Sequence, residues 1–150
     1  MNISKIDKKE NTLEISLAGI LKIGKKLDEN YILKIINLID DNKIEKVVLR
    51  GNDPFNSNNL PGVNFLLETL EIFQQKHLHT TIYTNYTLEN LLKRNDNYLL
   101  EILTMTDILY EGSGKNQRII DLNETIKKLD KEKDINLKNG KLSIVKFRGD

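Results

Sequence analysis

Residues 47–55, VVLRGNDPF, decide how the rest of the chain is read. Val47, Val48 and Leu49 form a short β-branched and apolar run that suits a buried strand, and the run ends in a tight, acidic, glycine-bearing loop. Gly51 lets the backbone take a positive φ or approach a ligand closely. Asp53 offers a carboxylate to an ammonium or a hydroxyl, and Pro54 stiffens the exit. Many α/β proteins begin a ligand site with such a strand end. The same residue types also make an ordinary exposed turn between a strand and a helix, and the stretch alone leaves both readings open.

On the N-terminal side, LDENYILKIINLIDDNK (27–43) sets Ile32, Ile35, Ile36 and Ile39 on one helical face, with Asp28 as N-cap. Before it, NTLEISLAGI (11–20) alternates Leu13, Ile15 and Leu17 against polar neighbours and suits a strand that enters the core at Ala18. Ile3 to Ile6 can pair with it as a hairpin arm around Lys8 to Asn11.

On the C-terminal side, GVNFLLETLEIFQQKH (62–77) reads as a helix with Phe65, Leu66, Leu70 and Phe73 inward, and TTIYT (80–84) as a strand. TLENLLKRN (87–95) and YLLEILT (98–104) read as helices, DILYEG (107–112) and QRIIDL (117–122) as strands. The alternation predicts an α/β domain of parallel βα units, whose ligands sit at the carboxyl ends of the strands. The loops after Leu49 and Thr84 and the segment after Tyr110 are therefore the candidate site. NETIKKLDKEK (123–133) suits a short charged helix, and in DINLKNGKLSIVKF (134–147) Asn139-Gly140 between alternating apolar residues signals a hairpin. No repeat or composition break divides residues 1–150, so a single domain is expected.

Composition narrows the chemistry. Charged residues make up 30% of the 150, with the signs interspersed and a net charge of +1. No strong field favours a nucleic acid or a membrane surface as partner. No apolar run approaches the roughly 18 residues of a membrane span, which makes a cytoplasmic protein the expectation. The chain has no cysteine. Thiolate nucleophiles, disulfides, cysteine-ligated zinc and ordinary iron–sulfur ligation by this chain are removed together. His77 and His79 are the two imidazoles; their i, i+2 spacing without a third ligand nearby suits a surface pair better than a metal site. EGSGKNQRIID (111–121) lacks the spacing of a phosphate loop and precedes a strand where such a loop precedes a helix.

Four stretches, taken in order, resemble the activating protein of the anaerobic (class III) ribonucleotide reductase, a small radical S-adenosylmethionine (SAM) enzyme. LEISLAGI (13–20) resembles the family's first strand, which ends in Ala-Gly-Cys and leads into a CxxxCxxC cluster loop. VVLRGNDPF resembles the Ser-Gly-Gly-Asp-Pro-Leu loop that holds the SAM amino group. IYTNYTLENLL (82–92) is similar to its Tyr-Thr-Gly-Tyr-Thr segment, and NQRIIDL (116–122) matches its Asn-Gln-Arg-Ile-Ile-Asp signature. The resemblance spans roughly residues 11–122. It implies a partial, mostly parallel, barrel-like sheet of the small radical SAM type, with a hairpin appended at the C-terminus.

The departures fall on the chemistry. Ile20 stands where the first cluster cysteine belongs, and LKIGKKLDENY (21–31) runs straight to the next helix, so the cluster loop is deleted as well as substituted. Asn52 replaces a glycine of the SAM loop, and Asn85 the glycine of the tyrosine segment. The resulting expectation is a radical-SAM-like pseudoenzyme, with no catalytic or metal residues, that acts as a protein-binding or regulatory module on a glycyl-radical ribonucleotide reductase or another partner. An iron–sulfur cluster is excluded for this chain alone, and no cofactor is expected. The alternative is a SAM or nucleoside site formed by Gly51, Asn52, Asp53, Pro54, Thr84 and Arg118; a further one is a fold reassigned as a small inhibitor.

Overall fold

A computed structural model describes residues 3–21, 29–56, 59–94, 96–125, 135–136 and 143–144. Its main sheet has six strands in sequential order, β1 (Ile3–Asp7), β2 (Thr12–Ser16), β3 (Lys46–Arg50), β4 (His79–Tyr83), β5 (Ile108–Glu111) and β6 (Arg118–Asp121). β2 to β5 are mutually parallel, in register Ser16–Arg50, Leu49–Ile82 and Tyr83–Tyr110. β1 is antiparallel to β2, as the hairpin reading expects, and the turn between them is closed by Asn11 at a positive φ of 51°.

Helices α1 (Leu17–Leu21), α2 (Glu29–Asp41), α3 (Leu60–Gln75), α4 (Leu88–Arg94) and α5 (Asn97–Thr104) fill the connections between the parallel strands. Because these strands lie side by side in chain order, right-handed crossovers put all the helices on one face of the sheet. Burial alternates accordingly. Leu13, Ile15, Val47, Leu49, Thr80, Ile82 and Leu109 are buried, while their strand neighbours Glu14, Val48, Thr81 and Ile108 are only partly covered. The core between sheet and helices takes Ile32, Ile35 and Ile39 from α2 and Phe65, Leu66, Leu70 and Phe73 from α3. Tyr31 joins it edge-on to Phe65, ring centroids 5.7 Å apart, and burial raises its phenol from 10.0 to about 12.

Two expectations are corrected. The segment that should carry β2 into the core at Ala18 leaves the sheet at Ser16 and turns helical, so Leu17, Ile20 and Leu21 are buried at helical spacing. That short helix lies so close to α3 that a Cβ on Gly62 would collide with the Leu21 carbonyl, and Asn59 Nδ2 donates to the same oxygen at 2.7 Å. Second, β6 is antiparallel to β5, because residues 112–117 are too few for a crossover helix and reverse through Gly112 and Gly114, both at positive φ.

Asp28 lies outside the described residues, as do most of the charged helix read over 123–133 and the Asn139-Gly140 turn. A helix begins at Leu122, and β7 (Ile135–Asn136) pairs antiparallel with β8 (Ser143–Ile144). Among the described residues no helix is long and apolar enough to cross a membrane.

Candidate functional site

The loop after β3 is neither a free carboxylate nor a plain exposed turn. Gly51 follows the strand at φ 115°, a conformation that favours glycine, and a Cβ there would also sit in tight contact, 3.2 Å from Ser16 Oγ. Asp53 then turns inward. Its Oδ1 accepts from Phe55 N at 3.1 Å and its Oδ2 from Asn85 N at 2.9 Å, while the Thr84 hydroxyl donates from 2.9 Å of both oxygens. Thr84 is itself fixed: its N–H donates to the Tyr110 carbonyl at 3.0 Å, and its Oγ1 accepts from Tyr86 N at 3.2 Å.

Two more hydrogen bonds and a cation–π contact complete the latch. Tyr86 donates its hydroxyl to Asn56 Oδ1 at 3.1 Å, and Arg94 Nη1 donates to the Phe55 carbonyl at 2.6 Å while its guanidinium lies 5.3 Å from the Tyr86 ring centre. Pro54 and Phe55 are buried beneath this bracket in a short 3₁₀ turn, Pro54–Asn56. The GNDPF stretch and the TNYT stretch are thus one folded unit at the carboxyl ends of β3 and β4.

A row of side chains crosses the sheet beside it on the face away from the helices. The Arg50 guanidinium stands 4.4 Å from the Tyr83 ring centre, and Tyr83 stacks on Tyr110 with centroids 4.5 Å apart and planes 13° off parallel. β4 lies between β3 and β5, so the two neighbours cover opposite faces of Tyr83. Arg50 also reaches Glu14, 3.6 Å away on β2.

Gly51, Asn52, Asp53 and Thr84 all line one open cleft of about 180 Å³. Arg50, Tyr83, Asn85 and Gln117 complete its wall. Pro54, buried below, does not line it. Neither does Arg118, whose place is taken by Gln117. The Arg118 guanidinium is bound to Glu111, with Nε and Nη2 3.1 and 2.9 Å from Oε2. Glu111 is only 2% exposed, and its other oxygen accepts from Leu88 N at 2.7 Å, which caps the start of α4. Arg118 therefore neutralises a buried capping carboxylate. The strand-end positions Arg50 and Tyr83 are the signal that a loop-centred reading passes over: ligand-facing residues of a parallel sheet include the last outward side chain of each strand.

His77 and His79 are both exposed on either side of buried Leu78, His77 closing α3 at φ 57°. Among the described residues no group of three or more His, Asp or Glu side chains is placed to hold a metal. Where the resemblance puts the first cluster cysteine, Ile20 is 0% exposed inside α1, and the chain contains no thiol to ligate iron. The residues present do not fit a [4Fe–4S] cluster.

No curated protein and no solved structure matches the chain. A family profile does: that of the 4Fe-4S single cluster domain, a radical-SAM-associated family, aligns with residues 16–128 and so covers β3 to β6, the latch and the cleft. By that match, the chain belongs to the 4Fe-4S single cluster domain family.

Proposed function

We propose that this chain is a cluster-free member of its family, a radical-SAM-like pseudoenzyme of the ribonucleotide reductase activase type whose scaffold serves as a protein-binding or regulatory module. The observation that carries the reading is Ile20. A lost ligand in a retained cluster loop would leave a polar, open segment, whereas here the position is fully buried in α1, whose next residue, Leu21, packs its carbonyl against Gly62 and accepts from Asn59. Three thiolates are needed to hold the cluster that cleaves SAM, and the chain has none. The uninterrupted one-sided crossovers suit a partial barrel, and the β7–β8 pair suits an appended hairpin. The partner is a glycyl-radical ribonucleotide reductase, the protein that active members of the resembled type engage. Affinity isolation of the tagged chain from its own cell, followed by mass spectrometry, should recover such a reductase in stoichiometric amount; recovery of the chain without it would reject this partner.

A second reading, a SAM or nucleoside site, is favoured by the convergence of Gly51, Asn52, Asp53 and Thr84 on one cleft at the strand ends. Arg118, bound to Glu111, is not part of that cleft. Titration calorimetry with SAM and S-adenosylhomocysteine tests it: micromolar heats would support it, and none would remove it.

A further inference from the structure

We infer that the free edge of β6 pairs with the same edge of a second copy of this chain, joining the two sheets through Ile119. The inference is independent of both readings above.

The two edges of the sheet are built differently. β1 breaks its register with β2 between Ile3 and Lys5 and exposes Lys5, and a bulge and a lysine are both devices that keep an edge from pairing. β6 has neither. Its register with β5 runs unbroken from Arg118 to Asp121, Ile119 is 65% exposed, and among the described residues no strand lies beyond it. The backbone is turned outward at the same place. The carbonyl of Tyr110, the residue opposite Ile119, accepts from Thr84 N on the β4 side, and Leu122 N donates to the Asp107 carbonyl. The even-numbered residues of β6 therefore bond to β5, while Ile119 and Asp121 direct their N–H and C=O groups away from it.

The residues of the edge select the occupant. Opposite residues of an antiparallel pair share a face, so two copies related by a two-fold axis at Ile119 set Ile119 on Ile119 and Gln117 on Asp121. Gln117 is extended, at φ −69° and ψ 136°, and can join the pairing. Each of these opposed pairs exchanges N–H···O=C bonds, apolar meets apolar at the axis, and the Gln117 amide meets a carboxylate it can donate to. A shift of two residues one way opposes Arg118 to Arg118, and the other way sets Ile119 on Asp121, so the edge is complementary to itself in one register. The net charge of +1 leaves little repulsion between copies. Because Gln117 also lines the cleft, the second copy braces one of its walls.

Sedimentation of the full chain from about 10 μM to about 1 mM, the range suited to a small interface, should show a shift from one chain to two per particle. Ile119→Lys should weaken the association by at least about tenfold. Leu33→Lys, at another exposed apolar residue, should leave it unchanged. The absence of cysteine makes Ile119→Cys a single-thiol chain. Opposite residues of a bonded pair lie about 5.5 Å apart, within disulfide reach, so mild oxidation should give a covalent dimer, and Leu33→Cys should cross-link far more slowly. A chain that stays monomeric throughout would overturn the proposal, as would a dimer that Ile119→Lys leaves intact or that Ile119→Cys does not cross-link. Loss of the reductase from the affinity isolation on Ile119→Lys, in a chain that never dimerises, would give the edge to a strand of that partner instead.

Discussion

The Thr84 hydroxyl lies 2.9 Å from both carboxylate oxygens of Asp53, and through that bond the loop after β4 holds the loop after β3. Thr84 is 4% exposed, so its hydroxyl loses a partner that water at the open cleft replaces only in part when Asp53 is removed. Asp53→Ala strips the acceptor from Phe55 N, Asn85 N and the Thr84 hydroxyl together. It is expected to lower the unfolding free energy by about 2–4 kcal/mol, with Thr84→Val costing about 1–2. Urea unfolding of the two single variants and the double variant should show a total well short of the sum, because both break one network. Full additivity would mean that the latch does not act as a unit.

Arg118 and Glu111 give a second test. With Arg118 removed, the Glu111 carboxylate stays buried at the start of α4 without its cation. Arg118→Ala should cost about 1–3 kcal/mol, and adding Glu111→Gln should recover part of that loss, since the glutamine carbonyl still accepts from Leu88 N without carrying charge. An Arg118→Ala protein as stable as the parent would show that the pair is an ordinary surface contact.

Much of this arrangement was legible in the residues, and the misses have physical causes. The isoleucines of α2 and the aromatic and leucine positions of α3 follow a 3.6-residue period over long stretches, so they mark both helix and buried face. Leu17 to Leu21 is a run of five in which strand alternation from Leu13 and helical spacing both fit; the close approach of Gly62, distant in sequence, decides it. β6 reads as a strand from composition, but its direction depends on the length of the connection and not on the strand's own residues. Asp53 and Thr84 each attract notice as strand-end polar residues. That they bind one another, and that Arg118 binds Glu111 instead of joining them, is tertiary information.

Packing at Gly62 makes a third prediction. A methyl group there meets the Leu21 carbonyl, a backbone atom that cannot swing aside, so Gly62→Ala should destabilise by about 1–3 kcal/mol despite the better helix propensity of alanine. Thermal unfolding checks the sign. A stabilised variant would show that α1 yields easily at Leu21.

Alkaline pH probes the core. The Tyr31 phenol, raised to about 12 by burial, keeps its proton in the folded chain after the unfolded chain has released its own near 10.0. Its contribution is fully present below pH 10 and is lost as pH rises toward 12, by up to about 2–3 kcal/mol. Tyr31→Phe should flatten that part of the stability profile; an unchanged slope would place the titrating group elsewhere.

This member of the 4Fe-4S single cluster domain family is expected to work without a cluster. Anaerobic reconstitution of the purified chain with iron and sulfide, followed by desalting and iron determination, tests it most directly. Iron at the background of a cysteine-free control protein, with no cluster absorbance, is the expected result. Retention of about four irons per chain with a reducible cluster spectrum would contradict it.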